Sequence, residues 1–247
     1  PFSTNKDFRN HTNAGEIDYE DMHLGHMAER LRRGFYGEID WAVIEVSDLD
    51  EGESMCKAFL TSAGGIVPTI ARLAKKIIIE KNSFHSKASR YLHDVYEIGE
   101  CPFRQPIPIL GVSDRIGKEY VEIDAKKIVG VVECNIPEEA RAFKPLDSIT
   151  QQMGHNVAEF LVADLKRGLI PPQFLPLQSG VGTTSNAVLE ALGQNSAVPV
   201  FSVYTEVVQD SVVKYMKEGR IKDASCSSLT VTNDTLQEIY SDIDYFK

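Results

Sequence analysis

An α/β architecture, mostly parallel sheets with flanking helices, follows from three features of the sequence. Residues 39–46 form an apolar run of strand length, residues 68–73 fit a helix, and residues 76–80 are apolar again. Strand, crossover helix and strand in that order make a parallel sheet buried on both faces. Residues 127–134 repeat the buried-strand pattern, and residues 175–204 run through a short apolar strand, a glycine-bracketed turn, a helix and another strand.

Taken in order, residues 1–20 are polar and rich in Asn and charge, and read as a loop or a severed connection. Phe2-Ser3-Thr4-Asn5-Lys6-Asp7 has the character of chain interior. A helix is expected from Asp21, where Met22, Leu24, Met27, Ala28 and Leu31 recur near helical spacing before Gly34. Pro68 suits the first turn of its helix, where the N–H it lacks has no partner to lose. Between residues 83 and 108 the pattern breaks down, and Cys101-Pro102-Phe103-Arg104-Gln105-Pro106-Ile107-Pro108 is too rich in proline for a helix interior or a central strand. Residues 136–147, with Pro137 and Pro145, read as a linker, which divides the chain into 1–135 and 148–247. A long amphipathic helix fits residues 148–167. Ser148 would cap it, Gln151 would complete a capping box, Val157, Phe160, Leu161 and Leu165 would face the core, and Gly168 would end it.

The length of 247 residues suits one large α/β domain or two modest ones, and a core of that size needs no staples. With 43% hydrophobic and 25% charged residues the chain is globular in composition, which excludes collagen-like, disulfide-scaffold and disordered classes. A net charge of −10 argues against nucleic acid and anionic membrane as partners, since both require a basic face. Small anions held by a few oriented amides stay compatible with it. No apolar run approaches the roughly 18 residues of a membrane-spanning helix. Cys56, Cys101, Cys134 and Cys226 are scattered with no C-x-x-C pair, which points to reduced thiols in a cytoplasmic protein and away from zinc.

The richest stretch for chemistry is Gln178-Ser179-Gly180-Val181-Gly182-Thr183-Thr184-Ser185-Asn186, a turn between a strand and a helix. Its glycines let the backbone take positive φ and let a ligand come close, and the first helical turn offers N–H groups to an anion or a developing oxyanion. The pair lacks the third glycine of a dinucleotide fingerprint and the Lys of a phosphate-binding loop, so a purely structural tight turn is an equal reading. Glu206 follows the apolar run Val200-Phe201-Ser202-Val203-Tyr204 and would emerge at a strand's carboxyl end, where open α/β sheets bind ligands. A carboxylate opposite such a turn suits acyl transfer. The competing reading is that Glu206 caps a helix over residues 207–218. A second glycine pair, Thr61-Ser62-Ala63-Gly64-Gly65, marks a turn in the first half. His23 and His26 have metal-compatible spacing without a third ligand and read as solvated, while His85, His93 and His155 are isolated. Cys226, in Ala224-Ser225-Cys226-Ser227, reads as a packed thiol in a serine-rich turn or as a residue lining the site.

Taken together, Gln178-Ser179-Gly180-Val181-Gly182, Asn186-Ala187-Val188-Leu189 and Tyr204-Thr205-Glu206-Val207-Val208-Gln209-Asp210-Ser211 resemble the acetyl-CoA hydrolase/transferase family of class I coenzyme A transferases. The nearest branch is that of succinyl-CoA:acetate and propionyl-CoA:succinate transfer. Asp21-Met22-His23-Leu24-Gly25-His26, Pro106-Ile107-Pro108-Ile109, Asp114-Arg115-Ile116-Gly117 and Phe143-Lys144-Pro145-Leu146 extend the resemblance across nearly the whole chain, in the family's order. The family's linker arginine falls where this chain has Glu138 and Glu139, with Arg141 two residues on, and Thr183, Thr184 and Ser185 differ from the family's usual Asn and small apolar residues.

The resemblance implies two related α/β domains, each partly present in a segment of a larger enzyme, and it replaces the capping reading of Glu206 with that of a nucleophile. Glu206 would attack an acyl-CoA thioester, forming an acyl-glutamyl anhydride and then a glutamyl-CoA thioester. The Val181 amide would stabilise the oxyanions, and one such donor is typically worth ~2.7–4 kcal/mol. Gly182, Thr183, Thr184, Ser185 and Asn186 would contact coenzyme A through the helix N-terminus. It further implies no tightly bound cofactor and no metal, with acyl-CoA and small carboxylates as substrates and a homodimeric assembly. Two other readings compete: thioester hydrolysis at the same glutamate, and a CoA-binding segment without chemistry.

Overall fold

The computed structural model describes residues 6–138 and 145–247, and the chain divides into two units, Pro1–Glu38 and Ile39–Lys247. In the first, α1 (Lys6–Asn13) and α2 (Met27–Arg32) bury no side chain. The helix expected from Asp21 starts later, as a 3-10 turn at Leu24–His26, because the His23 ring accepts the Gly25 N–H at 3.1 Å and caps the chain there. Gly34, at φ 74°, follows the end of α2.

The second unit begins with the parallel sheet read from the sequence. Strands β1 (Trp41–Val46), β4 (Lys76–Asn82) and β6 (Ile128–Cys134) lie in the order β1-β4-β6, all parallel, with α3 (Val67–Leu73) between β1 and β4 and Pro68 in its first turn. Ala42, Ile44, Val46, Ile77 and Ile79 point into a core shared with Ala71 and Ala74. The sheet departs from expectation in being covered on one face. Trp41 is 55% and Val43 65% exposed, and Val129, Val131 and Val132 of β6 are exposed as well. Among the described residues β6 is an edge strand that pairs with β4 alone, so its apolar run is no guide to burial. A second sheet, antiparallel and unforeseen, is formed by β2 (Asp48–Asp50), β3 (Met55–Phe59) and β5 (Val121–Asp124) in the order β2-β3-β5. Residues 83–108 contain a 3-10 turn at Lys87–Tyr91 and no strand or α-helix, as the proline pattern implied.

The remaining elements are α4 (Ser148–Lys166), α5 (Thr183–Gln194), β7 (Phe201–Val208), α6 (Asp210–Lys217), β8 (Ile221–Leu229), α7 (Asn233–Ser241) and α8 (Ile243–Phe246). β7 and β8 are parallel, and Leu177 bridges to Val203 on the other side of β7, so β7 is central. Leu189, Leu192, Val203, Val212, Tyr215, Ile221, Leu236 and Ile239 form the core around it. Helix α4 corrects two expectations. Its cap is Asp147, not Ser148: the Thr150 N–H and hydroxyl donate to Asp147 Oδ1 at 2.7 and 2.6 Å. Its buried face is Gly154, Ala158 and Val162, with Leu161 and Leu165 packed partly buried against the core as expected, while Val157 and Phe160 face outward. The cause is the approach of α5, so close that a Cβ on Gly154 would lie 2.4 Å from the Ala187 carbonyl oxygen. Small residues must line that seam, and Val157 and Phe160 turn away from it. Gly168 ends the segment at φ 73°, in the position expected of it.

Candidate active site

β7 carries Glu206. The strand runs three residues past Glu206's immediate predecessor Thr205, to Val208, so Glu206 stands inside the strand and not at its end. Alternation puts Val203, Thr205 and Val207 on the buried side and leaves Tyr204 and Glu206 exposed. No helix begins at residue 207. Helix α6 starts at Asp210 with Gln209 at its cap position, so Glu206 is not its cap. The Ser227 hydroxyl of the neighbouring strand donates to the Glu206 carbonyl at 2.8 Å.

The glycine-bracketed turn lies beside this strand. Leu177 N–H donates to Ser202 O and Tyr204 N–H to Leu177 O, each at 2.9 Å, two rungs of a parallel ladder. Beyond them the Thr205 hydroxyl takes over, donating to Ser179 O at 2.8 Å and accepting from Ser179 N–H at 3.3 Å. Gln209 Nε2 then donates to Gly180 O at 3.2 Å. Val181 is exposed, and Gly182 caps α5 at φ 142°, ψ 168°, a conformation essentially reserved for glycine. Thr183, Thr184, Ser185 and Asn186 form the first turn of α5, where Asn186 N–H donates to Gly182 O at 3.1 Å. Glu206 and the residues from Val181 to Asn186 are thereby brought to the same end of the same sheet.

Two further elements converge there that the sequence left apart. The second glycine turn reaches the end of β8: Leu229 N–H donates to Ser62 O at 2.8 Å, Gly64 N–H to Ser227 O at 3.3 Å, and Ala63 bridges Ser228. Cys226 is in β8, opposite Thr205, not in a turn, and burial pushes its thiol up, away from the thiolate that nucleophilic sulfur requires. The four cysteines are free.

A polar cluster occupies the carboxyl ends of β1 and β4, where a cleft of about 240 Å³ is lined by Glu45, Glu80, Asn82, His85 and Glu138. His85 is not isolated. It is buried, its Nδ1 is 2.8 Å from the Tyr240 hydroxyl, and its Nε2 is 3.6 Å from Glu138 and 3.8 Å from Glu45. His93 Nε2 lies 2.6 Å from the Thr61 carbonyl. Burial lowers the pKa of both rings, opposed at His85 by Glu138 and Glu45 and at His93 by the Thr61 and Leu60 carbonyls. Because each folded pKa is below the unfolded value of about 6.5, the unfolded chain takes up more protons as pH falls. The stability these neutral rings supply is complete above about pH 6.5 and is lost as pH drops through their folded values. Thermal unfolding between neutral pH and about pH 5 should show a falling midpoint, with a flatter slope in His93→Gln. An unchanged slope in that variant rules out His93 as a source.

The rings of His23 and His26 lie 5.3 Å apart between centroids, tilted by 42°. Among the described residues no group of three or more His, Cys, Asp or Glu side chains is placed to hold a metal ion, and no helix is long and apolar enough to cross a membrane. Glu139 and Arg141 fall outside the described residues, as do Phe143 and Lys144 of the expected Phe143-Lys144-Pro145-Leu146 motif.

The fold is of the coenzyme A transferase type. The chain superposes on a 4-hydroxybutyrate CoA-transferase from Porphyromonas gingivalis with a TM-score of 0.58 at 20% identity, over 93% of this chain and 50% of that one. The acetyl-CoA hydrolase/transferase N-terminal domain model matches residues 1–133, and the chain belongs to that family. It is 43% identical over 246 residues to a propanoyl-CoA:succinate CoA transferase of Escherichia coli, covering 100% of this chain and 49% of that protein. It is 34% identical to a succinyl-CoA:acetate CoA-transferase of Clostridium kluyveri, over 100% of this chain and 45% of that one, and 32% identical to an acetyl-CoA hydrolase of Schizosaccharomyces pombe, over 100% and 48%. The chain thus spans about half the length of these relatives.

Proposed function

We propose that these residues carry the nucleophile of a coenzyme A transferase, which moves CoA from an acetyl-, succinyl-, propionyl- or butyryl-type thioester to an acceptor carboxylate. The observation that carries the reading is the exposed Glu206 on β7, one residue from the Thr205 hydroxyl that holds the Ser179 backbone at the entry of the glycine turn. Residues 1–135 and 148–247 are then parts of the family's two α/β domains, with 136–147 between them.

In the first step the Glu206 carboxylate attacks the thioester carbonyl, the C–S bond breaks, and CoA leaves as a thiolate from an acyl-glutamyl anhydride. The thiolate attacks the glutamyl carbonyl of the anhydride, releasing the first carboxylate and leaving a glutamyl-CoA thioester. The acceptor carboxylate attacks that thioester to give a new anhydride and thiolate, and the thiolate takes the new acyl group, restoring Glu206. Each step passes through a tetrahedral oxyanion, which the Val181 amide stabilises, while the N–H groups from Gly182 to Asn186 bind CoA. An anhydride is close in energy to a thioester, so a carboxylate nucleophile keeps the exchange reversible.

A second reading rests on the hydrolase relative: water intercepts the glutamyl intermediate. Acyl-CoA loss by the full-length protein, measured with and without acetate or succinate, separates the two. Transfer predicts consumption that depends on the acceptor. Equal rates of CoA release in its absence overturn it in favour of hydrolysis.

A further inference from the structure

On the reading just given, we infer that Thr205 and Gln209 are positioning residues that fix the amides of the Val181 turn against the nucleophile's strand. Glu206 stands between them in sequence, and both side chains reach across to the same loop. The Thr205 hydroxyl makes a two-way link to Ser179, donating to its carbonyl at 2.8 Å and accepting from its N–H at 3.3 Å. It stands where a further backbone rung would follow the two made by Leu177. A backbone rung would hold the loop in the plane of the sheet, whereas a side-chain link ends the ladder and lets the chain turn at Gly180. Gln209 Nε2 then holds the turn from its far side through the Gly180 carbonyl, the carbonyl of the peptide unit whose N–H belongs to Val181. Fixing that carbonyl fixes the plane of the Val181 N–H, because the peptide unit is rigid.

Gln209 also shows an imbalance that packing alone does not explain. Gln209 is 1% exposed, and among the described residues its Oε1 has no hydrogen-bond partner. A buried, unsatisfied amide oxygen is destabilising, and an apolar side chain of similar length would avoid that cost. What the glutamine supplies in return is the bond from Nε2 to the turn. Thr205 is likewise buried, at 8% exposure, on the core side of β7, where Val would pack equally well. In both places a polar group stands in an apolar setting, and its hydrogen bonds go to residues 179 and 180.

The test uses Gln209→Met, Thr205→Val and Thr205→Ser in the full-length protein, with Glu206→Gln alongside and steady-state transfer from acetyl-CoA to succinate as the assay. The turn's amide acts on the oxyanion and not on the bound substrate, so kcat should fall by about 10²-fold in Gln209→Met and Thr205→Val, with KM for acetyl-CoA unchanged. Unfolding midpoints should hold or rise in Gln209→Met, which removes the orphaned oxygen. A merely structural role cannot lower kcat while stability is kept. Thr205→Ser, which retains the hydroxyl, should recover most of the Thr205→Val loss. Wild-type kcat in Gln209→Met and Thr205→Val, or losses of kcat that follow losses of stability, overturn the inference. If Glu206→Gln is inactive while those two variants are fully active, only the positioning role fails. If Glu206→Gln is fully active, the nucleophile reading fails and the positioning role falls with it.

Discussion

Replacing Glu206 by Gln is expected to abolish CoA exchange and leave the fold in place. The side chain is exposed on β7, and the Ser227 hydroxyl donates to the backbone carbonyl of Glu206 and not to its carboxylate. Stability should therefore change by no more than the ~0.5 kcal/mol typical of surface substitutions. Activity should fall on the order of 10⁶-fold, the scale of removing a covalent nucleophile, because an amide at that position cannot form the anhydride. Glu206→Asp separates chemistry from placement. It keeps the carboxylate but withdraws it by one methylene, and a displacement of about 1 Å costs on the order of 10²-fold. Borohydride added after incubation with acyl-CoA reduces a glutamyl thioester to an alcohol, so mass spectrometry should locate the change at residue 206 in the parent and find none in Glu206→Gln. Full activity in Glu206→Gln, or a label at another residue, would remove Glu206 from the mechanism.

The parts of this arrangement were unequally legible in the sequence. β1 and β4 are apolar runs bounded by a helix with Pro in its first turn, so both strands and their parallel pairing could be read. β2, β3 and β5 are short, and their buried positions include small or polar side chains such as Cys56, Ala58 and Asp48, which leave little hydrophobic alternation to detect. β8 shows the same effect more strongly. Ile-Lys-Asp-Ala-Ser-Cys-Ser-Ser-Leu has the composition of a turn, and it is a strand because β7 supplies its hydrogen-bonding partner. In α4 the apolar residues surround the helix, so periodicity could not choose the buried side, and the close approach of α5 decided it. The same division holds at the site. A glycine turn and a glutamate after an apolar run are visible in the sequence, whereas Thr205 and Gln209 are ordinary residue types whose contacts depend on which backbone atoms lie opposite. Ser62 and Gly64 reach β8 from more than 160 residues away along the chain, a pairing that no local pattern encodes.

The spacing of α4 and α5 should control the site through the first two turns of α5. A methyl group on Gly154 would lie 2.4 Å from the Ala187 carbonyl oxygen and 2.6 Å from its carbon. Both are backbone atoms of α5, so no flexible side chain can move aside, and the helices must separate. Overpacking of this kind costs about 3 kcal/mol, which for a domain of this size lowers the unfolding midpoint by roughly 6–12 °C. Gly130→Ala is the matched control, since a Cβ there meets nothing within 4 Å. Its midpoint should hold or rise slightly, as alanine restricts the unfolded chain more than glycine does. Ala187 lies five residues from Gly182, the cap of α5 and the exit of the Val181 turn, so a shift of the helix at residue 187 must be taken up across that turn. Turnover by Gly154→Ala, measured well below its lowered midpoint, is therefore expected to drop along with its stability. If the folded variant keeps full kcat, the Thr205 and Gln209 contacts hold the turn without help from α5.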